Sequence, residues 1–149
     1  MWLAYYTTYG IEKMIDFTIY DSATGLILRD GYCQDNDFDY QTNFGESILE
    51  GRYDTNMYYV SSGTVTNRLP SVITASSDTI TADGTSTITY SSIPNPTTCN
   101  ILVPNGADLI TDFSVTDGTL VFSANFAGIY IINMVSFPYV DFTHTVTAS

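Results

Sequence analysis

The run Asn125-Phe126-Ala127-Gly128-Ile129-Tyr130-Ile131-Ile132-Asn133-Met134-Val135 decides how the second half of this chain is read. Gly128 closes a turn, and the residues after it alternate as a half-buried strand does, with Tyr130, Ile132 and Met134 on one side. A tyrosine opening a strand just after a glycine-containing turn can return its hydroxyl to the backbone a few residues upstream, an arrangement known as a tyrosine corner. The expectation is a core strand whose Tyr130, Ile132 and Met134 face inward together.

Working outward, similar short runs recur at Val72 to Ala75, Thr79 to Thr81, Ser86 to Tyr90, Thr98 to Val103, Leu120 to Ser123 and Phe142 to Thr147. Turn signals separate them: Ala82-Asp83-Gly84, Ile93-Pro94-Asn95-Pro96, Pro104-Asn105-Gly106, Thr116-Asp117-Gly118 and Phe137-Pro138. About seven short strands in about eighty residues, rich in β-branched and aromatic side chains, is the pattern of an immunoglobulin-like β-sandwich. The central Trp and paired cysteines of antibody domains are missing, because the one Trp is Trp2 and Cys99 has no companion in this half. That points to a bacterial or viral surface-type module rather than an immune receptor.

Upstream, Phe17 and Ile19 on one side and Leu26 and Leu28 on the other flank Asp21-Ser22-Ala23-Thr24-Gly25, a turn whose glycine can supply positive φ, which predicts a β-hairpin. Residues 35–45 are polar and read as a loop or at most a short helix. Ser47 to Tyr53 alternates again, and Ser61-Ser62-Gly63 joins Met57 to Val60 with Thr64 to Asn67 in a second hairpin. Leu69-Pro70-Ser71 is the natural hinge, since proline cannot continue a ladder. The expected organisation is therefore all-β: an aromatic arm over 1–13, a small β-hairpin module over 14–68, and an immunoglobulin-like sandwich over 71–149. The arm carries Trp2, Tyr5, Tyr6 and Tyr9. These are candidate partner-binding residues, because large rigid aromatics fill pockets on other proteins; the alternative is a first strand of the following module.

Charge narrows the function classes. The net charge is −12 with a charged fraction of only 13%. Lys13, Arg29, Arg52 and Arg68 are the four cations, so residues 69–149 hold neither Lys nor Arg. Nucleic acid and anionic membranes need clustered cations and are not expected as partners. No apolar window approaches the roughly 20 residues of a membrane-spanning helix, and no leader of signal-peptide type opens the sequence. A chain this poor in long charged side chains loses little side-chain entropy when it packs against another protein.

Candidate chemistry is sparse. His144 is the one histidine and lies in a strand pattern, with no marked Ser or Cys nucleophile for it to serve. Cys33 and Cys99 lack metal-ligand spacing and are expected reduced and buried. Asp35, Asp37, Asp39 and Glu46 fall at positions 1, 3, 5 and 12 of a calcium loop, but Tyr40 stands where that loop requires Gly. A solvated acidic loop is the competing reading. Glu46, Glu50 and Asp54 could supply paired carboxylates, yet nothing in the sequence builds a cleft around them. No catalytic residue, metal site or cofactor is expected, and the chain reads as not an enzyme.

Between Met14 and Val60 a set of words occurs in order: Phe17-Thr18-Ile19-Tyr20-Asp21, Ala23-Thr24-Gly25, Ile27-Leu28-Arg29, Gly31-Tyr32-Cys33, Gly45-Glu46-Ser47-Ile48-Leu49-Glu50-Gly51 and Tyr58-Tyr59-Val60. Together they resemble a module of small structural proteins of tailed bacteriophages. Gln41 stands where that module has a Gln before its Gly-Glu word, while residues 1–13 and the region from Ser71 lie outside it. The resemblance implies a non-enzymatic virion component, assembled in the host cytoplasm, that is anchored by residues 14–68 and displays the immunoglobulin-like domain. Tail or fibre association is the leading expectation. The alternatives are a capsid decoration protein and a carbohydrate-binding module for host attachment. The implied partners are tail, fibre or major capsid subunits, met as a homo-oligomer or in many copies, with a host surface glycan under the last alternative.

Overall fold

A computed structural model describes residues 13–103 and 108–149. Among the described residues the fold is all-β with one short helix, and the chain divides into two compact units after Asn67.

In the first unit, β1 (Met14–Asp21) and β2 (Ile27–Gln34) form the expected hairpin, paired from Met14↔Gln34 to Tyr20↔Ile27. Asp21 sets the turn, its Oδ1 accepting from the Ala23 and Thr24 amides at 3.1 and 2.7 Å, an Asx arrangement that replaces backbone partners. Gly25 follows with φ of +81°, and a side chain there would run into the Val60 carbonyl oxygen. The Val60 amide in turn donates to the Gly25 carbonyl at 2.9 Å, so the missing side chain is what lets the second hairpin dock on the first. That second hairpin is β4 (Tyr58–Ser61) with β5 (Thr64–Asn67). Before it, residues Asp35–Gln41 form a 3-10 helix, and β3 (Glu46–Glu50) pairs on the other side of β1, giving the order β2-β1-β3.

Strand alternation puts Ile15, Phe17 and Ile19 on one buried face. Phe17 lies over Gly31, its partner in β2, where a Cβ would meet the ring. On the opposite face Thr18 is fully buried, and its hydroxyl donates to the Gly51 carbonyl at 2.7 Å and accepts from the Tyr53 amide at 3.1 Å. Valine has the same shape but would strand both backbone groups.

The second unit holds β6 (Thr74–Ala75), β7 (Thr79–Ile80), β8 (Ile88–Ser91), β9 (Thr97–Leu102), β10 (Asp108–Val115), β11 (Leu120–Phe122), β12 (Gly128–Val135) and β13 (Phe142–Ala148). A five-stranded sheet, β10-β9-β12-β13-β7, faces a three-stranded one, β11-β8-β6. All pairs are antiparallel except β7 with β13. The core joins Ile88, Tyr90 and Phe122 of the smaller sheet to Cys99, Ile101, Tyr130, Ile132, Met134 and Val146 of the larger. Each fully buried aliphatic side chain here is worth about 1.5–3 kcal/mol in apolar surface removed from water. This is the immunoglobulin-like sandwich that the strand pattern predicts, with Tyr130, Ile132 and Met134 all buried. The Tyr130 hydroxyl donates to the Phe126 carbonyl at 2.9 Å, closing the tyrosine corner, and its ring meets Phe122 edge-on across the sheets.

Two features differ from the sequence reading. β10 occupies the stretch between the turns at 104–106 and 116–118, where the sequence reading places no strand, because its pairing with β9 slips twice between Asp108 and Phe113 and Asp112 takes a left-handed φ of 24°. These irregularities erase the period-2 signal. The boundary also falls before Arg68 rather than after it. The Leu69 amide donates to the Pro138 carbonyl at 3.0 Å, and Arg68, only 6% exposed in its side chain, pairs with Asp141 at 3.2 Å and lies 6.0 Å from the Phe137 ring centre. Arg68 thus belongs with the sandwich.

Tyr130→Phe keeps the core packing and removes only the corner hydrogen bond. It is expected to lower stability by about 1 kcal/mol, read as a lower urea midpoint with an unchanged denaturant slope.

Candidate functional site

Trp2, Tyr5, Tyr6 and Tyr9, the candidate partner-binding residues, lie outside the described residues. The remaining candidates can be placed.

His144 projects from β13 and ties three elements together. Its Nδ1 is 2.9 Å from the Tyr90 hydroxyl on β8, and its Nε2 is 2.8 Å from Asp78 Oδ1 just before β7. With Nε2 protonated, the ring donates to Asp78 and accepts from the Tyr90 hydroxyl, so both ring nitrogens and the buried hydroxyl have a partner. Phe142 stacks on the imidazole at 6.1 Å between ring centres. An Asp-His pair beside a hydroxyl has the outline of a nucleophile relay. Tyr90, however, is fully buried, and burial pushes its phenol well above the usual range. No substrate can reach that oxygen, and the chain works as a polar bolt between the two sheets.

The thiols are equally unsuited to attack. Burial raises Cys99 to about 11. Cys33 is only half-buried, a departure from the expected burial, and its thiol is also pushed up, first by desolvation and then by the negative charges of Asp37 and Asp35. Both are protonated at neutral pH, the opposite of an activated cysteine.

The acidic residues divide among separate tasks. Asp35, Asp37 and Asp39 lie on the 3-10 helix, while Glu46, the twelfth position of the calcium-loop spacing, is taken by Arg29. The guanidinium donates Nη1 to Oε1 and Nη2 to Oε2, both at 2.6 Å, in a bidentate fork, and the Asn43 amide adds a bond at 2.8 Å. Arg29 Nη2 also reaches the Gln41 carbonyl, so the pair staples the end of the 3-10 helix to the sheet. Asp54 caps the Asn56 amide at 2.8 Å, and Asp30 pairs with Arg52. Among the described residues no group of three or more His, Cys, Asp or Glu side chains is placed to share a metal ion.

What remains are surfaces. In the first unit a cavity of about 360 Å³ runs along β2, lined by Ile27, Leu28, Arg29, Asp30 and the 52–55 segment. Tyr32 and Tyr40 are 70% and 83% exposed, and Phe44 is fully exposed. In the second unit an apolar groove of about 370 Å³ lies between β10 and β11. The exposure of Phe44, flanked only by Asn43 and Gly45, is not foreseeable from a polar stretch that reads as solvated loop. Among the described residues no helix is long and apolar enough to cross a membrane.

No protein-family model matches this sequence, and no curated protein matches it. A solved structure described as a glycosyl hydrolase family 2 member from Bacteroides cellulosilyticus overlaps 90% of this chain at 11% identity with a TM-score of 0.35, and the chain spans 21% of that protein. A likeness of this size transfers neither activity nor substrate.

Two predictions follow from these contacts. Replacing His144 with Leu leaves the Tyr90 hydroxyl buried without its partner and is expected to cost about 1–3 kcal/mol. Adding Tyr90→Phe should recover part of that loss in a urea double-mutant cycle, whereas simple additivity would show that the bolt does not couple the sheets. The second concerns acid. Glu46 is held at about 2, chiefly by the Arg29 hydrogen bonds, and Asp83 at about 2 by the Ser86 and Thr85 amides. Both folded values lie below the unfolded ones, so their stabilisation is complete above the ordinary carboxylate range and is lost as pH falls through about 2. Thermal melts from pH 6 to 2 should show stability falling below about pH 4.5, and Glu46→Gln with Asp83→Asn should flatten that fall.

Proposed function

We propose that this protein is a non-enzymatic structural component of a tailed-phage virion, anchored through its N-terminal unit and displaying the immunoglobulin-like sandwich, with a tail or fibre position as the leading assignment. The observation that carries the reading is the exposure of Tyr32, Tyr40 and Phe44 on a unit whose Arg29 and Arg52 are both committed to internal carboxylates. Large exposed aromatics suit docking onto another protein, where they fill pockets at the centre of an interface while charges such as the neighbouring Asp39 stay at its polar rim. The ordered words that resemble the phage module fall on β1, β2, β3 and β4 of the same unit. The buried position of Tyr90 and the protonated thiols favour a scaffold over a catalyst.

The test is cryo-electron microscopy of purified particles together with quantitative mass spectrometry of their proteins. Density confined to the tail or fibres at low copy number is the expected result. Density at every capsid lattice position, at hundreds of copies, would replace the assignment with a decoration protein. Absence from the particle would overturn the virion reading, and binding of the chain to a glycan array would then favour host attachment.

A further inference from the structure

The flank of the sandwich where β10 and β11 run is open on both sheets. β10 is the outermost strand of the larger sheet and β11 that of the smaller, and the groove between them is lined by Ile101, Ile110, Phe113, Leu120 and Phe122. Ile110 is 44% exposed and Val121 60%. Short length and bulges, as in three-residue β11 and twice-shifted β10, limit how far an edge strand can pair, and the further guard is an edge lysine or proline. Neither β10 nor β11 contains one, and residues 69–149 contain no Lys or Arg at all. An apolar groove between two edges that lack that guard is the receiving half of a short β-augmentation contact, in which an added strand supplies main-chain bonds and alternate side chains fill the groove.

We infer that the occupant is residues 1–12 of a second copy of this chain. The segment Trp2-Leu3-Ala4-Tyr5-Tyr6-Thr7-Thr8-Tyr9 consists almost wholly of apolar, aromatic and β-branched residues and sets Leu3, Tyr5 and Tyr9 at the same parity. Charge favours this match. Among the described residues, Arg29, Arg52 and Arg68 are ion-paired with Glu46, Asp30 and Asp141, which leaves Lys13, exposed and directly following the segment, as the cation with no carboxylate partner. Carboxylates of the opposite sign lie on the elements that flank the groove, exposed Asp112 on β10 and Asp117 in the turn that leads to β11. Length also suffices. Twelve residues extend to about 40 Å, while β11 is three residues long and spans about 10 Å. The slack can join an inserted strand to β1 of its own copy. This inference concerns the chain's contact with itself and stands whether or not the virion reading holds.

Trp2 is the one tryptophan of the chain, so its emission reports the segment directly. The experiment follows sedimentation mass and Trp emission of the full-length protein together, from sub-micromolar to several hundred micromolar. The expected result is a rise in mass accompanied by a shift of Trp2 emission to shorter wavelength at the same concentrations. Ile110→Lys and Val121→Lys, each able to extend its ammonium to water, should each move both transitions at least tenfold higher in concentration. Tyr5→Asp should do the same from the donor side. Mixing Ile110→Lys with Tyr5→Asp should restore association, since one supplies an intact segment and the other an intact groove. Circular dichroism identifies any variant that fails to fold, and the two lysine positions are independent of each other. A monomer across the whole range would overturn the inference, as would association that survives both lysines. Short-wavelength emission that is lysine-sensitive but independent of concentration would mean that the segment fills the groove of its own copy, and would overturn it as well.

Discussion

Tyr130, Ile132 and Met134, taken out of water between β9 and β13 and beneath the smaller sheet, are the contact on which the sandwich depends. β12 is the central strand of five, so its inward side chains touch both flanking strands as well as the opposing sheet. The tyrosine corner fixes where that strand begins, since a one-residue slip would turn Ile131 and Asn133 into the core. Isoleucines at 88, 101 and 132 then interlock, and the two sheets acquire one register rather than several. A polar chain through Asp78, His144 and Tyr90 adds direction to what apolar burial alone leaves loose.

Much of this was legible in the sequence because it is written in local periodicity. β12 spans Gly128–Val135 as its alternation predicts, and the two hairpins of the first unit turn at Asp21–Gly25 and Ser62–Gly63, where side-chain caps and positive φ angles are needed. β10 was not legible, because its slipped pairing and the left-handed Asp112 break the period that marks a strand. Nor was the role of His144, whose partners lie 54 and 66 residues away. The spacing of Asp35, Asp37, Asp39 and Glu46 suggests a shared ion when read as a string. Only the fold reveals that Arg29, seventeen residues from Glu46, has the stronger claim on that carboxylate. Arg68 carries the same lesson at the unit boundary: composition assigns it upstream, and Asp141 assigns it downstream.

The economy of cations has a structural logic. Arg29 closes the 3-10 helix onto β2 and β3, Arg52 holds the 52–55 segment to Asp30, and Arg68 seats the start of the sandwich against Asp141. Each of the three therefore fixes a connection rather than decorating a surface. With them committed in this way, the outer faces are left to aromatics, amides, hydroxyls and carboxylates, so a docking partner meets shape, hydrogen-bonding groups and a net charge of −12.

The larger sheet has an outer row in which Asn100, Asn133 and Thr143 pass hydrogen bonds across β9, β12 and β13, Asn133 Nδ2 donating to Asn100 at 3.1 Å and the Thr143 hydroxyl to Asn133 at 2.9 Å. Neutral groups of this kind gather no counterions, so their geometry does not respond to dissolved electrolyte. A face built from them keeps the same outline in dilute medium and in brine, which charged side chains at the same positions could not do.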